Sequence, residues 1–149
     1  MSTPGFVLMC ALDLLGRSAN QLPPLVFVEH RPPDASPHAV AFVKPGERAI
    51  YLITSSPTFR LAIEAQDTSR ECRGLDELRL IASVIAHEEW HVDHGIDEDA
   101  AYIAQLTTLQ RLGAGPGRWP YEVVRRARRA ALDAASKRLS LRRELALVR

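Results

Sequence analysis

Apolar residues change their period several times along the chain, and each change marks an element. Phe6, Met9, Cys10 and Leu14 recur at helical spacing, which predicts a first helix over residues 4–19 with Asn20 as its stop. "LVFVEH" (25–30), bounded by "LPP" and "RPPDASP", is short and β-branched and reads as a strand. "HAVAFV" (38–43) and "RAIYLIT" (48–54) flank "KPGE", the pattern of a hairpin around a Pro-Gly turn. Ser56 and Pro57 suit the cap and first position of a short helix.

From Leu75 the helical signal strengthens. Leu80, Val84, His87, His91 and His94 share one face, while Leu78, Ile81, Ala82, Ile85 and Ala86 cover much of the rest, so this helix is expected to be buried on most sides. Gly95 is its expected left-handed stop. A second helix follows over about 97–112, acidic at its start as the helix dipole favours. "GAGPG" ends it. Residues 119–149 form a basic amphipathic helix, an extension of a single domain spanning 1–149. The fold class expected is α+β and zincin-like: N-terminal helix, small antiparallel or mixed sheet with a hairpin, two central helices and a basic C-terminal helix.

Composition narrows the functional classes. No run reaches the eighteen or so uncharged apolar residues of a membrane span; the longest candidate, 6–15, is broken by Asp13. Nothing basic precedes that run and no small-x-small site follows it before Arg17, so a secretory signal is not expected and a cytoplasmic location is. Cys10 and Cys72 are too few for a disulfide framework and are expected to be reduced, buried and inert. The net charge of +1 hides an asymmetry: up to residue 110 there are eight basic and fifteen acidic residues, and after it eleven and three. A basic end of this kind answers the acidic part of its own chain or meets nucleic acid, an acidic protein or a membrane surface, of which the membrane is not expected here.

The stretch "VIAHEEWHVDHGIDEDAAY" (84–102) carries three histidines and six carboxylates. His87-Glu88-Glu89-Trp90-His91 is an H-E-x-x-H arrangement inside the strongest helix. Residues four apart on a helix are neighbours, so His87 and His91 can point at one ion. Glu88 projects to the side, where its carboxylate can deprotonate a water rather than bind the metal. A hydrolytic zinc site takes three protein ligands and one open position. Glu98, heading the next helix, is the favoured third ligand, with Tyr102 and Gln105 on its face one and two turns later. His94 lies about 10 Å from His87 along the axis at 1.5 Å per residue; with Asp97 and Asp99 it completes the alternatives. Without an ion or carboxylate, paired histidines on a mostly apolar helix would leave costly polar groups unmet. Trp90 is expected to fill the groove between the two helices, and His30 and His38 to face solvent.

"HEEWH" followed by "DHGIDEDAAYIAQL" resembles the minimal gluzincin metallopeptidases and is similar in plan to the ImmA/IrrE-type peptidases. The resemblance covers residues 25–112 and is specific over 87–102. It implies zinc held by His87, His91 and Glu98, Glu88 as general base, and a peptide or protein substrate lying antiparallel to an edge strand, either strand of the hairpin. The order "EDAA" would also let Asp99 align with the family ligand. Tyr102 is a candidate oxyanion donor, against a plain core role. The competing reading is a non-catalytic zinc-stabilised module whose arginine-rich helix binds nucleic acid or an acidic partner.

Overall fold

The structure is a computed structural model that describes residues 3–67 and 70–147. Helix α1 (Pro4–Leu15) starts behind Thr3, whose hydroxyl accepts from the Phe6 amide at 3.2 Å, a side-chain cap for a donor the helix itself cannot pair. It stops at Gly16, which takes the left-handed conformation (φ 67°). The helix is therefore four residues shorter than the apolar pattern suggests. Its core face is also different: Val7, Cys10 and Ala11 are buried, whereas Met9 is 47% exposed. "PGFVLMCALDLL" is apolar almost all round, so periodicity selects no face there.

Strands β1 (Leu25–Val28), β2 (Ala41–Phe42) and β3 (Ile50–Ile53) form one sheet in the order β1-β3-β2. The expected hairpin is present, with Ala41 opposite Leu52 and Phe42 opposite Tyr51. On the other side of β3, β1 runs parallel from Leu25 beside Ile50 to Val28 beside Ile53, so the sheet is mixed. Because β3 is central, only β2 of the hairpin keeps a free edge.

Helix α2 (Pro57–Ala65) begins at Ser56 and Pro57. Helices α3 (Leu75–His94), α4 (Glu98–Arg111) and α5 (Trp119–Leu147) complete an α+β fold of five α-helices among the described residues. Two apolar clusters hold it together. Val7, Cys10 and Ala11 of α1, Ile50 and Leu52 of β3, Phe59 and Ala62 of α2, and Leu78, Ile81 and Ile85 of α3 make the first. Leu80 of α3, Leu106 and Leu109 of α4, Ala114 between α4 and α5, and Val124 of α5 make the second. Helix α3 thus buries two sides and is the axis of the molecule, which fixes everything its last two turns carry.

The two cysteines correct the expectation of free, inert thiols. Cys10 and Cys72 form a disulfide with their Cα atoms 5.7 Å apart, within the range a bridge requires. It ties α1 to the segment before α3. The pair is 62 residues apart in sequence, so the packing of α1 on α2 and α3 brings them together. No helix among the described residues is long and apolar enough to cross a membrane.

Candidate metal centre

The histidine pair sits where the buried part of α3 ends. His87 and His91 keep only 9% and 10% of their side chains exposed, and their rings meet edge to face at 4.9 Å. Gly95 then breaks the helix at φ 100°, ψ −146°, a region essentially reserved for glycine and different from the expected left-handed cap. This conformation brings the Gly95 carbonyl onto His91, whose Nδ1–H donates to it at 2.6 Å. Asp97 caps α4 by accepting from the Ala100 amide at 3.1 Å, and the next residue, Glu98, turns back over the histidines.

His87 Nε2 lies 3.3 Å from Glu98 Oε1, and His91 Nε2 contacts the same oxygen. One ligand atom from each of His87, His91 and Glu98 falls within 4.8 Å of the others. Donors around a tetrahedral zinc are about 3.3 Å apart, as bond lengths near 2.0 to 2.1 Å require, so the group could hold a metal ion. The donor chemistry agrees: two imidazole nitrogens and a carboxylate oxygen converge while the far nitrogens are held from behind. His91 Nδ1 is fixed by Gly95. His87 Nδ1 is 3.0 Å from Gln105 Oε1. Gln105 Nε2 donates to Ser83 Oγ at 3.1 Å, and Ser83 donates to the Leu80 carbonyl at 2.7 Å. Since the serine's one proton goes to Leu80, Gln105 must face Ser83 with its NH₂ and His87 with its oxygen. His87 thereby carries a proton on Nδ1, which leaves Nε2, the nitrogen that faces Glu98, as the one an ion would take.

The electrostatics follow from the same contacts. Hydrogen bonds from His87 and His91 hold the Glu98 carboxyl down at about 2. His91, bonded to Glu98 and to the Gly95 carbonyl, has its pKa raised; oxygen acceptors at both ring nitrogens favour the imidazolium. Burial pushes the Glu88 carboxyl up, with the neighbouring histidines pulling the other way. Glu88 is 8% exposed and lines the same cleft as the three converging residues. Tyr102 also lines it, its ring edge-on to His87 at 4.6 Å. Burial raises its pKa, so the hydroxyl keeps its proton at neutral pH.

The other candidate ligands are engaged elsewhere. Asp97 is the helix cap. Asp99 accepts from Arg128 of α5 at 2.6 Å. His94 donates to the Trp90 carbonyl at 3.1 Å and stacks on the Trp90 ring at 4.7 Å. His30 and His38 are exposed, although His38 reaches the rim of the cleft.

The cleft encloses about 600 Å³. One bank is the edge strand β2 with the segment leading into it, and the opposite bank is the first part of α5, from Trp119 to Ala127. The contribution of α5 is missing from the sequence reading, although Trp119, Val123 and Ala127 at four-residue spacing were a visible signal. No protein-family model, curated protein or solved structure matches the chain.

Proposed function

We propose that the chain is a zinc-dependent metallopeptidase of zincin-like fold, with His87, His91 and Glu98 as ligands and Glu88 as general base. One observation carries the reading: the ligand atoms of those three residues lie within 4.8 Å of one another beside a buried glutamate in an open cleft. Three protein donors leave a coordination position free, as catalytic zinc requires and closed structural sites do not. Two imidazoles and a carboxylate suit zinc, and the donor set also accommodates iron or manganese.

When bound, zinc supplies Lewis acidity toward a carbonyl and toward water. The chain supplies the rest. Glu88 accepts the proton of the attacking water and returns it to the leaving amine, and its raised pKa brings it nearer the working pH of such a shuttle. Tyr102, protonated and pointing into the cleft region, donates to the carbonyl oxygen as negative charge develops on it. The free edge of β2 offers unpaired backbone groups to an extended peptide.

The exposed second half of α5 favours a second activity. Leu139, Leu141 and Leu145 are all more than half exposed among Lys137, Arg138, Arg142 and Arg143, which suits an acidic protein partner or nucleic acid; salt-sensitive binding is its sign. Part of the basic end answers its own chain, through Arg128 of α5 with Asp99 and Arg118, just before α5, with Asp76. The expected cytoplasmic location sits poorly with the Cys10–Cys72 bridge, since such bridges persist mainly in oxidising compartments.

The test is cleavage of a panel of unfolded proteins by the zinc-loaded chain and by Glu88→Ala. The variant keeps its zinc and loses turnover by about a hundredfold or more. Equal cleavage by both proteins removes Glu88 from the mechanism and the peptidase reading with it.

A further inference from the structure

The cleft is larger than a metal site needs, and much of its lining is apolar. The face of α3 that ends in His87 and His91 begins with Leu80 and Val84, one turn apart and both lining the cleft. Helix α5 contributes Trp119, Val123 and Ala127 to the same cleft, again one turn apart. The neighbouring Val124 does the structural work of anchoring α5: it is 3% exposed and packs with Leu80 and Leu109. Trp119 and Val123 remain 43% and 37% exposed. A stripe that served only to dock the helix would be covered as Val124 is. Open apolar surface running up to a few convergent polar groups is the character of a ligand pocket.

Two further features bear on what enters. Arg128, one residue beyond Ala127, is paired with Asp99, the residue after Glu98, so the wall formed by α5 is tied to the helix that carries the third metal-cluster residue. Among the described residues no lysine or arginine lines the cleft, whereas Glu88 and Glu98 do. An acidic side chain lying on the apolar stripe would find no lysine or arginine partner there.

We infer that the Trp119–Val123–Ala127 stripe is a specificity wall, which receives a large aliphatic or aromatic side chain of the substrate beside the bond presented to His87, His91 and Glu98, and disfavours an acidic one. The inference rests on the peptidase reading and adds the substrate class to it.

Metal-anchored probes test it without turnover. N-acetyl-leucine hydroxamate, its glycine counterpart and its aspartate counterpart share one chelating group and differ in the side chain. Against the zinc-loaded protein, calorimetry is expected to give tenfold or more tighter binding for leucine than for glycine, the scale of a filled apolar pocket, and no gain for aspartate. In the double variant Trp119→Ala/Val123→Ser the leucine-to-glycine ratio falls toward one, while zinc content and glycine-probe affinity stay as in the parent. Equal affinities in the parent, or a ratio that survives the double substitution, overturn the specificity wall alone. Failure of every probe to bind overturns the metal-centred reading and this inference together.

Discussion

Gln105 offers a sharp test of how the site is built, because it touches no metal and yet fixes the proton of a residue that would. A bound ion needs the lone pair of His87 Nε2, which forces the ring proton onto Nδ1, 3.0 Å from Gln105 Oε1. With 9% of the His87 side chain exposed, water is a poor replacement. Gln105→Leu keeps the volume and strands that N–H. An unmet buried donor costs about 1 to 3 kcal/mol, and loss of such an outer partner typically costs 10- to 100-fold in metal affinity. At 1.4 kcal/mol per tenfold those two scales coincide. In the metal-free protein the loss is partly relieved, since the proton can move to Nε2 and Glu98 accept it. The variant is thus expected to lose about 10- to 100-fold in zinc affinity by chelator competition, with a smaller change in the stability of the metal-free chain. Zinc affinity within about threefold of the parent would refute the tautomer argument.

Three other outcomes follow from the same contacts. Gly95→Ala meets no clash, since nothing lies within 4 Å of an added Cβ, but the residue must leave φ 100°; a cost of about 1 to 3 kcal/mol and weaker zinc binding are expected by denaturation and metal titration, and unchanged values of both would contradict the role given to its carbonyl. In metal-free protein His91 has a raised pKa, so its contribution is complete below the ordinary histidine value and lost as pH rises through the folded one; Glu98, held at about 2, contributes above the ordinary carboxylate value and loses this as pH falls toward 2. Urea denaturation with chelator present should therefore show this pair most stabilising between about pH 4.5 and 6.5, a maximum that Glu98→Gln removes, while zinc affinity rises with pH as the His91 proton is released. Finally, Cys10→Ser should lower stability by about 2 to 4 kcal/mol under non-reducing conditions, the usual scale for closing a long loop; two thiols titrating in the unreduced, unfolded protein would show that no bridge exists.

The parts of the fold legible in the sequence are those governed by neighbours in the chain. His87, Glu88 and His91 could be placed together because four-residue spacing on a helix sets their geometry, and Glu98 with Tyr102 and Gln105 because the same rule holds one helix later. Ser56-Pro57 and the Pro-Gly turn marked a helix start and a hairpin for equally local reasons. What escaped depends on packing between distant segments. Cys10 and Cys72 meet because α1 packs on α2 and α3. The parallel pairing of β1 with β3 depends on which side of the hairpin the first strand joins. Arg128 finds Asp99, and Trp119 and Val123 come to line the cleft that holds the histidines, only once α5 has folded back over the second cluster. Gly95 is intermediate: the helix stop was visible in the residue type, but not the conformation that carries its carbonyl to His91.

The central claim is that His87, His91 and Glu98 form one metal site. It is tested most directly by zinc content per chain in the purified, zinc-reconstituted protein, measured by elemental analysis beside Glu98→Ala. The account predicts about one zinc in the parent and a large loss in a variant that still folds. Absence of zinc from the parent, or full retention by Glu98→Ala, would contradict it.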